Sequence, residues 1–199
     1  MKRKHFFDIN ADIWDNDICP LKENKIKNLI LPLLNLQDND TIIDIGSGTG
    51  ILIPYLRKYI KNDTQITELD FSQSMINKAQ EKFSNDINYL VSNIENTKIK
   101  NNTFSKAIIF NSFPHFEDKQ KTISEVFRIL QNNAIILLVH SASKNEINLH
   151  HQKVGGIIAE DVFPSNCDIK IMFEKAGFKN IEIVDNTDVF YIKAIKQEE

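Results

Sequence analysis

Cysteine is nearly absent from this chain of 199 residues, with only Cys19 and Cys167 present. Two thiols cannot frame a disulfide-stapled fold, and neither sits at metal-binding spacing from a second Cys or a His. They read as reduced thiols, and the expected location is cytoplasmic. No apolar run approaches the ~20 residues needed to cross a bilayer. The start, Met1-Lys2-Arg3-Lys4-His5, is basic but lacks the apolar stretch of a secretory signal. Positive charge is not in excess either. The 24 Lys and Arg residues face 27 Asp and Glu, leaving a formal net charge of −3. A basic footprint for nucleic acid or an anionic membrane is therefore missing, and neither partner is expected. Repeats and low-complexity segments are lacking as well. The 42% hydrophobic content suits one sizeable core, so residues 1–199 are expected to form a single domain.

Glycine is scarce too, at six residues, yet three of the six fall within five positions. Asp44-Ile45-Gly46-Ser47-Gly48-Thr49-Gly50 follows the apolar stretch Thr41-Ile42-Ile43. This pattern predicts a strand ending in an acidic residue, a glycine loop, and a helix starting near Ile51. Glycine lets the backbone turn at positive φ and approach a ligand closely. The helix that follows points its free N–H groups at the loop. The spacing discriminates between ligands. A dinucleotide site wants G-x-G-x-x-G with the pyrophosphate on the helix N-terminus, whereas G-x-G-x-G stands here. A carboxylate at Asp44 would repel a pyrophosphate and suits a ligand carrying an ammonium. These features disfavour a nicotinamide-dependent oxidoreductase.

The segment resembles motif I of the class I S-adenosylmethionine (SAM)-dependent methyltransferases, in the small-molecule branch that includes ubiquinone/menaquinone methyltransferases. SAM has the required ammonium on its methionine end. The resemblance extends along the chain. Asp70 lies twenty positions after Gly50, and Asp70-Phe71-Ser72-Gln73-Ser74-Met75 is similar to the family's D-x-S-x-x-M signature. It implies that Asp70 takes the ribose hydroxyls, that Phe71 lies along the adenosine, and that Ser72 caps a helix bearing Met75. Glu68 is a rival carboxylate on the same strand face, deeper in the sheet. After a third strand the family often has D-x-E; here Asn93 stands in the acidic position, followed by Ile94 and Glu95. The implied contact is adenine against Asn93, whose amide oxygen can still accept, and Ile94. Phe104-Ser105 replaces the usual F-D before strand four. The resemblance also implies that Asp44 holds the ammonium, that Gly46, Ser47, Gly48 and Gly50 form the cradle, and that Asn111 lines the methionine end.

Strand and helix patterns alternate, which predicts an α/β fold: a Rossmann-like, seven-stranded, mostly parallel sheet with helices on both faces and an antiparallel strand near the C-terminus. Helices are predicted at 5–18 and 22–36, the second with an apolar stripe of Ile26, Leu29, Ile30, Leu33 and Leu34 and a kink at Pro32. Strands are predicted near 41–45, 65–70, 87–91, 106–111 and 134–140, with helices near 50–60, 72–84 and 118–131. A helix at 165–176 ending at Gly177 and strands at 180–184 and 187–195 complete the layout.

Acceptor choice is expected to rest on an N-terminal helical cover, residues 1–36, and on an insertion after strand five, residues 141–164. The stretch from Phe6 to Asp15 resembles the family's F-F-D-x-x-A-x-x-W-D lead-in, which in relatives covers the cofactor. Asn111-Ser112-Phe113-Pro114-His115-Phe116 is not the N-P-P-Y type of motif, which argues against nucleic-acid bases as acceptors. Four of the five histidines, His115, His140, His150 and His151, fall in the acceptor region. His115, His140 and His151 are the candidate catalytic residues, each able as a neutral imidazole to take a proton near neutral pH. The same histidines with Glu160, Asp161 and Cys167 have ligand chemistry for a metal, but no tight ligand spacing, so no metal is expected. The expected activity is methyl transfer from SAM to an O, S or C nucleophile of a small molecule. The alternative is a SAM-binding sensor or assembly protein without chemistry, its acceptor side closed by Phe113, Phe116 and Phe163.

Overall fold

The computed structural model describes residues 2–17, 20–83 and 86–197. Seven strands form one sheet: β1 (Ile42–Ile45), β2 (Ile66–Asp70), β3 (Asn88–Val91), β4 (Phe104–Phe110), β5 (Leu130–His140), β6 (Phe178–Asp185) and β7 (Phe190–Lys196). Their spatial order is β3-β2-β1-β4-β5-β7-β6. The first five are parallel, while β7 runs antiparallel to both β5 and β6. This is the expected Rossmann-like fold with its antiparallel C-terminal strand. The helices are α1 (Lys2–Asn10), α2 (Pro20–Lys25), α3 (Ile53–Leu56), α4 (Gln73–Lys82), α5 (Lys119–Ile129), α6 (Lys144–Val154) and α7 (Asn166–Ala176).

Alternation along the strands sends neighbouring residues to opposite faces, and each face has its own core. Ile43, Ile45, Ala107 and Ile109 pack with Ile123 and Val126 of α5 and Phe173 of α7. Ile42, Ile108 and Phe110 pack on the other face with Ile26, Ile30, Leu52 and Leu56. The direction in which strands are added reverses between β1 and β4, so a crevice opens beyond their carboxyl ends, where open α/β sheets bind ligands.

Several local expectations hold. Ser72 caps α4 by accepting the Met75 N–H at 3.2 Å, and α7 ends at Gly177 with φ of 106°. Others need correction. The helix expected over 50–60 is regular only at Ile53–Leu56. Pro54 has no N–H to return to the Gly50 carbonyl, which takes the Ile53 N–H instead at 3.2 Å. The helix expected over 22–36 changes period twice, from α2 to a wide turn at Ile26–Ile30 and a tight one at Leu31–Leu34. That rotation buries Leu31 and leaves Leu29 exposed. The helix expected over 5–18 becomes α1 followed by a tight helical turn at Ala11–Asp17. Strand β5 begins at Leu130, directly after α5 and earlier than expected. Cys19 and the expected helix ends at 18 and 84 lie outside the described residues; Cys167 is exposed.

Candidate functional site

The backbone of the glycine loop is set by β2. Gly46 and Ser47 both donate to the Leu69 carbonyl, at 2.8 and 3.1 Å. Gly46 and Gly48 have φ of 72° and 56°, in the left-handed region. A Cβ on Gly46 would lie 2.6 Å from Cβ and Oγ of Ser112, whose hydroxyl is anchored on the Ile45 carbonyl at 3.0 Å. Alanine at Gly46 should therefore combine backbone strain with a collision. We expect a loss of about 1–3 kcal/mol from the strain alone. At this chain length that corresponds to a Tm decrease of roughly 2–4 °C per kcal/mol, read by thermal melting.

A cavity of about 1040 Å³ opens over this loop. Asp44, Gly46, Ser47, Gly48, Asp70, Phe71, Met75, Asn93, Ile94, Asn111, His115, His140 and His151 all line it. Of the residues expected to bind the cofactor or to act in catalysis, Gly50 alone is set apart. A Cβ there would meet Ile53 Cδ1 at 2.6 Å and the Phe83 ring at 3.2 Å, so Gly50 serves the packing of the loop against α3 and α4. The Asn93 amide oxygen already accepts the Glu95 N–H at 2.9 Å, which leaves one lone pair for a ligand. Asn111 joins the ends of β4 and β5: its oxygen takes the Ser141 N–H at 2.9 Å, and its own N–H goes to the Val139 carbonyl at 2.9 Å.

Three carboxylates meet under the loop. Asp44 and Glu68 are register partners on β1 and β2, and both are fully buried. Asp44 Oδ1 and both Glu68 oxygens have no hydrogen-bond partner among the described residues. Burial, with the Asp70 charge adding to it, pushes the Asp44 carboxyl up to about 8. Burial and then Asp44 push Glu68 well above the usual carboxylate range; the Ser47 hydroxyl offsets this slightly without an aligned hydrogen bond. Asp70 is held differently. Its Oδ2 accepts the Gly48 N–H at 2.9 Å and its Oδ1 the Ser72 N–H at 2.8 Å. Burial raises it only to about 6, because these amides favour the charged form. Glu68 does not line the cavity; Asp70 does.

The N-terminal segment closes one side of the cavity. Phe7 packs edge-on against Phe71, Trp14 and His115, with centroids 5.1–5.5 Å apart. Trp14 lies beside Gly48. Asp15 receives the Thr49 hydroxyl and the Lys82 ammonium, and Asp8 receives the Ser72 hydroxyl. These contacts tie the segment to the glycine loop and to α4.

The three candidate histidines converge but differ in partners. His140, at the end of β5, is buried with Nε2 unpartnered, and burial pushes it well below its usual value. His151, on α6, directs Nδ1 to the Asp161 carbonyl oxygen at 2.6 Å and is lowered by burial. His115 places Nδ1 2.7 Å from Oδ2 of Asp161 and is the one joined to a carboxylate. Arg3 of α1 holds the other oxygen of that carboxylate, with Nε at 2.7 Å. Burial acts to raise Asp161, but the hydrogen bonds from His115 and Arg3 outweigh it and keep the carboxyl below its usual value. Neither Arg3 nor the Asp161–His115 pairing was legible as a site feature, because the partners stand 158 and 46 positions apart. Among the described residues no cluster of three or more His, Cys, Asp or Glu side chains is arranged to hold a metal ion.

Residues 43–138 match the family described as a methyltransferase domain. The ubiquinone/menaquinone biosynthesis C-methyltransferase of Wigglesworthia glossinidia brevipalpis is 28% identical over 62% of this chain, which spans about half (52%) of that relative's length. The enzyme of the same name from Rickettsia typhi is 28% identical, with 86% of this chain and 82% of the relative covered. A SAM-dependent methyltransferase from Aquifex aeolicus shares the fold, with a TM-score of 0.71, 21% identity and coverage of 95% and 98% of the two chains. The match runs over just under half of the chain, from β1 into β5, and takes in the glycine loop.

Proposed function

We propose that this chain transfers a methyl group to a hydroxylated aromatic of the quinol type, with an ionisable O–H next to the position methylated. The observation that carries this reading is one cavity holding two different chemistries. At one end it has the carboxylates Asp44 and Asp70 on a glycine loop; at the other it has histidines among the apolar side chains Phe7, Phe116, Ile147 and Ile158. The names of the curated relatives, methyltransferases of ubiquinone and menaquinone biosynthesis, support the quinol class.

The buried residues fit the cofactor's polar groups. Asp44, with one oxygen unpartnered, would pair with the ammonium of the methionine end. Asp70, oriented by two backbone amides, would accept from the ribose hydroxyls. Phe71, Met75 and Ile94 would flank the adenosine, with the free lone pair of Asn93 toward its amino group. Bound SAM supplies a methyl carbon already activated on a sulfonium. His115 would take the acceptor's hydroxyl proton on Nε2 as the adjacent ring carbon's electron pair forms the new bond to the methyl carbon and the carbon–sulfur pair returns to sulfur. Loss of the hydrogen from the methylated ring carbon as a proton, with return of one proton to the oxygen, would then restore the aromatic ring. Such a base contributes about 10²–10⁴-fold, beside the ~7–11 kcal/mol available from holding the reactants in line. His140 and His151 stay neutral and line the wall.

The reading of a SAM-binding protein without chemistry is less well supported. Phe113 and Phe163 turn into the hydrophobic core, so of the three bulky side chains only Phe116 meets the cavity. We place the chain in one domain whose N-terminal segment covers the site, working in the cytoplasm; among the described residues no helix is long and apolar enough to cross a membrane. The test is calorimetry with SAM and S-adenosylhomocysteine, followed by transfer of labelled methyl from SAM to simple hydroquinones, phenols and thiols. Micromolar binding is expected, with label recovered in the hydroquinone arm and a ~10²-fold or greater drop in turnover for His115→Ala. No binding at millimolar cofactor would overturn the reading.

A further inference from the structure

The Asp161 side chain is fully enclosed, yet it lies on no regular element. Four separate parts of the chain converge on this residue. His115, from the tight turn Phe113–His115 after β4, meets Oδ2 at 2.7 Å. Arg3, from α1, meets Oδ1 through Nε at 2.7 Å and through its terminal nitrogen at 2.6 Å. His151, from α6, meets the backbone carbonyl at 2.6 Å. The fourth is Asp161's own segment, which enters through Gly155 and Gly156, both at positive φ with open space where a side chain would be. The N-terminal cover and the insertion after β5 thus join through one buried carboxylate placed directly behind the candidate base.

We propose that Asp161 and Arg3 are positioning residues of the acceptor site. Asp161 holds His115 with Nδ1 protonated and Nε2 bare toward the cavity, and Arg3 completes the arrangement only when α1 is seated over the site. This rests on the reading of His115 as the base. An imidazole lining the cavity, with Nδ1 facing a buried carboxylate, has one remaining nitrogen for substrate, and its tautomer is set by the carboxylate. As His115 takes up a proton, the imidazolium faces Asp161 while His140 and His151 remain uncharged, so no second cation opposes it among the rings. The other charged groups facing this cluster lie at its edge. Lys119, whose ammonium donates to the Phe116 carbonyl at 3.0 Å, faces Asp161. Glu117 and Glu160 face Arg3. The guanidinium satisfies the second carboxylate oxygen in forked geometry, so that oxygen does not compete for the ring proton. A clamp contributed by the cover also makes the base competent only in the closed, water-poor site.

Nitrogen-15 NMR of the ring nitrogens, on protein labelled at histidine, tests this without an acceptor. Wild type should show His115 as the Nδ1-protonated tautomer. Asp161→Ala should give a mixed or reversed tautomer, Asp161→Asn a mixture, and Arg3→Gln broadened intermediate behaviour, with Arg3→Lys partly restoring the wild-type signal. S-adenosylhomocysteine binding should stay within about threefold of wild type in all of them. In the methyl-transfer assay with hydroquinone, Asp161→Ala should lower kcat by about 10²-fold and leave KM for SAM unchanged. If Asp161→Ala does not fold, the wild-type tautomer and the variant Arg3→Gln, at a partly exposed position, still decide the matter. A bare Nδ1 in wild type, or an unchanged tautomer in Asp161→Ala or Arg3→Gln, overturns the proposal. An intact tautomer effect with no methyl transfer in any arm would instead overturn the reading of His115 as a base.

Discussion

Alanine in place of Asp70 should raise the Kd for S-adenosylhomocysteine by roughly 10²–10³-fold, the equivalent of about 3–4 kcal/mol. Each Asp70 oxygen takes one backbone amide, Gly48 at 2.9 Å and Ser72 at 2.8 Å. These bonds fix the carboxylate plane and leave lone pairs facing the cavity. Two ribose hydroxyls donating to a fixed carboxylate contribute about 1.5–3 kcal/mol each, the range for hydrogen bonds to charged groups. Truncation also frees the Gly48 amide that shapes the loop. Asp70→Asn keeps one acceptor and should give an intermediate loss. Glu68 serves as the control: it is as buried as Asp70 but does not line the cavity. Glu68→Gln should change cofactor affinity at pH 8 by less than Asp70→Asn does. Calorimetric titration decides it, and the reverse order would transfer the ribose role to Glu68.

The parts of this site that were readable from sequence are those whose partners are close along the chain. A strand ending at Asp44, the glycine loop and the strand ending at Asp70 form one βαβ unit, where local turn chemistry and register dictate each position. Gly50 belongs to the same motif but answers to Phe83 and Ala79, more than twenty-five positions away, so its packing role was hidden. The apolar period predicts one regular helix with Leu29 in its stripe, whereas the backbone widens at Ile26–Ile30 and tightens at Leu31–Leu34, which turns Leu29 outward and Leu31 inward. The histidines come to one cavity wall because they stand at strand ends and in the insertion. What separates them chemically is the burial of His140 and the carboxylate beside His115, and Asp161 comes to that place only through tertiary folding. Arg3 looked like part of a basic chain start, although it anchors the far side of the same carboxylate.

Cofactor affinity should depend steeply on pH between 6 and 8, with the direction set by Asp44. In the free protein its carboxyl is raised to about 8 by burial and by the Asp70 charge. The ordinary aspartate value of about 3.9 applies to the unfolded chain. The folded state therefore holds a proton that the unfolded state has lost. Between about pH 4 and pH 8 the stability of the free protein falls as pH rises, and this group's full contribution is present only below that window. A ligand ammonium reverses the preference, since it favours the charged carboxylate. Binding then expels the proton, and affinity increases with pH up to about 8. One released proton gives about a tenfold change in Kd per pH unit. The Kd for S-adenosylhomocysteine should thus be roughly 50-fold weaker at pH 6 than at pH 8 through Asp44 alone, with Asp70, raised to about 6, adding to the loss at the acid end. Calorimetry at pH 7 in buffers of different ionisation enthalpy should report about one proton released per ligand bound. Asp44→Asn should flatten the profile and remove the proton release. Glu68→Gln should retain both, because Glu68 is pushed well above the usual carboxylate range by burial and by Asp44 and stays protonated while Asp44 ionises. A wild-type affinity that is level from pH 6 to 8 would show that the ammonium does not meet Asp44.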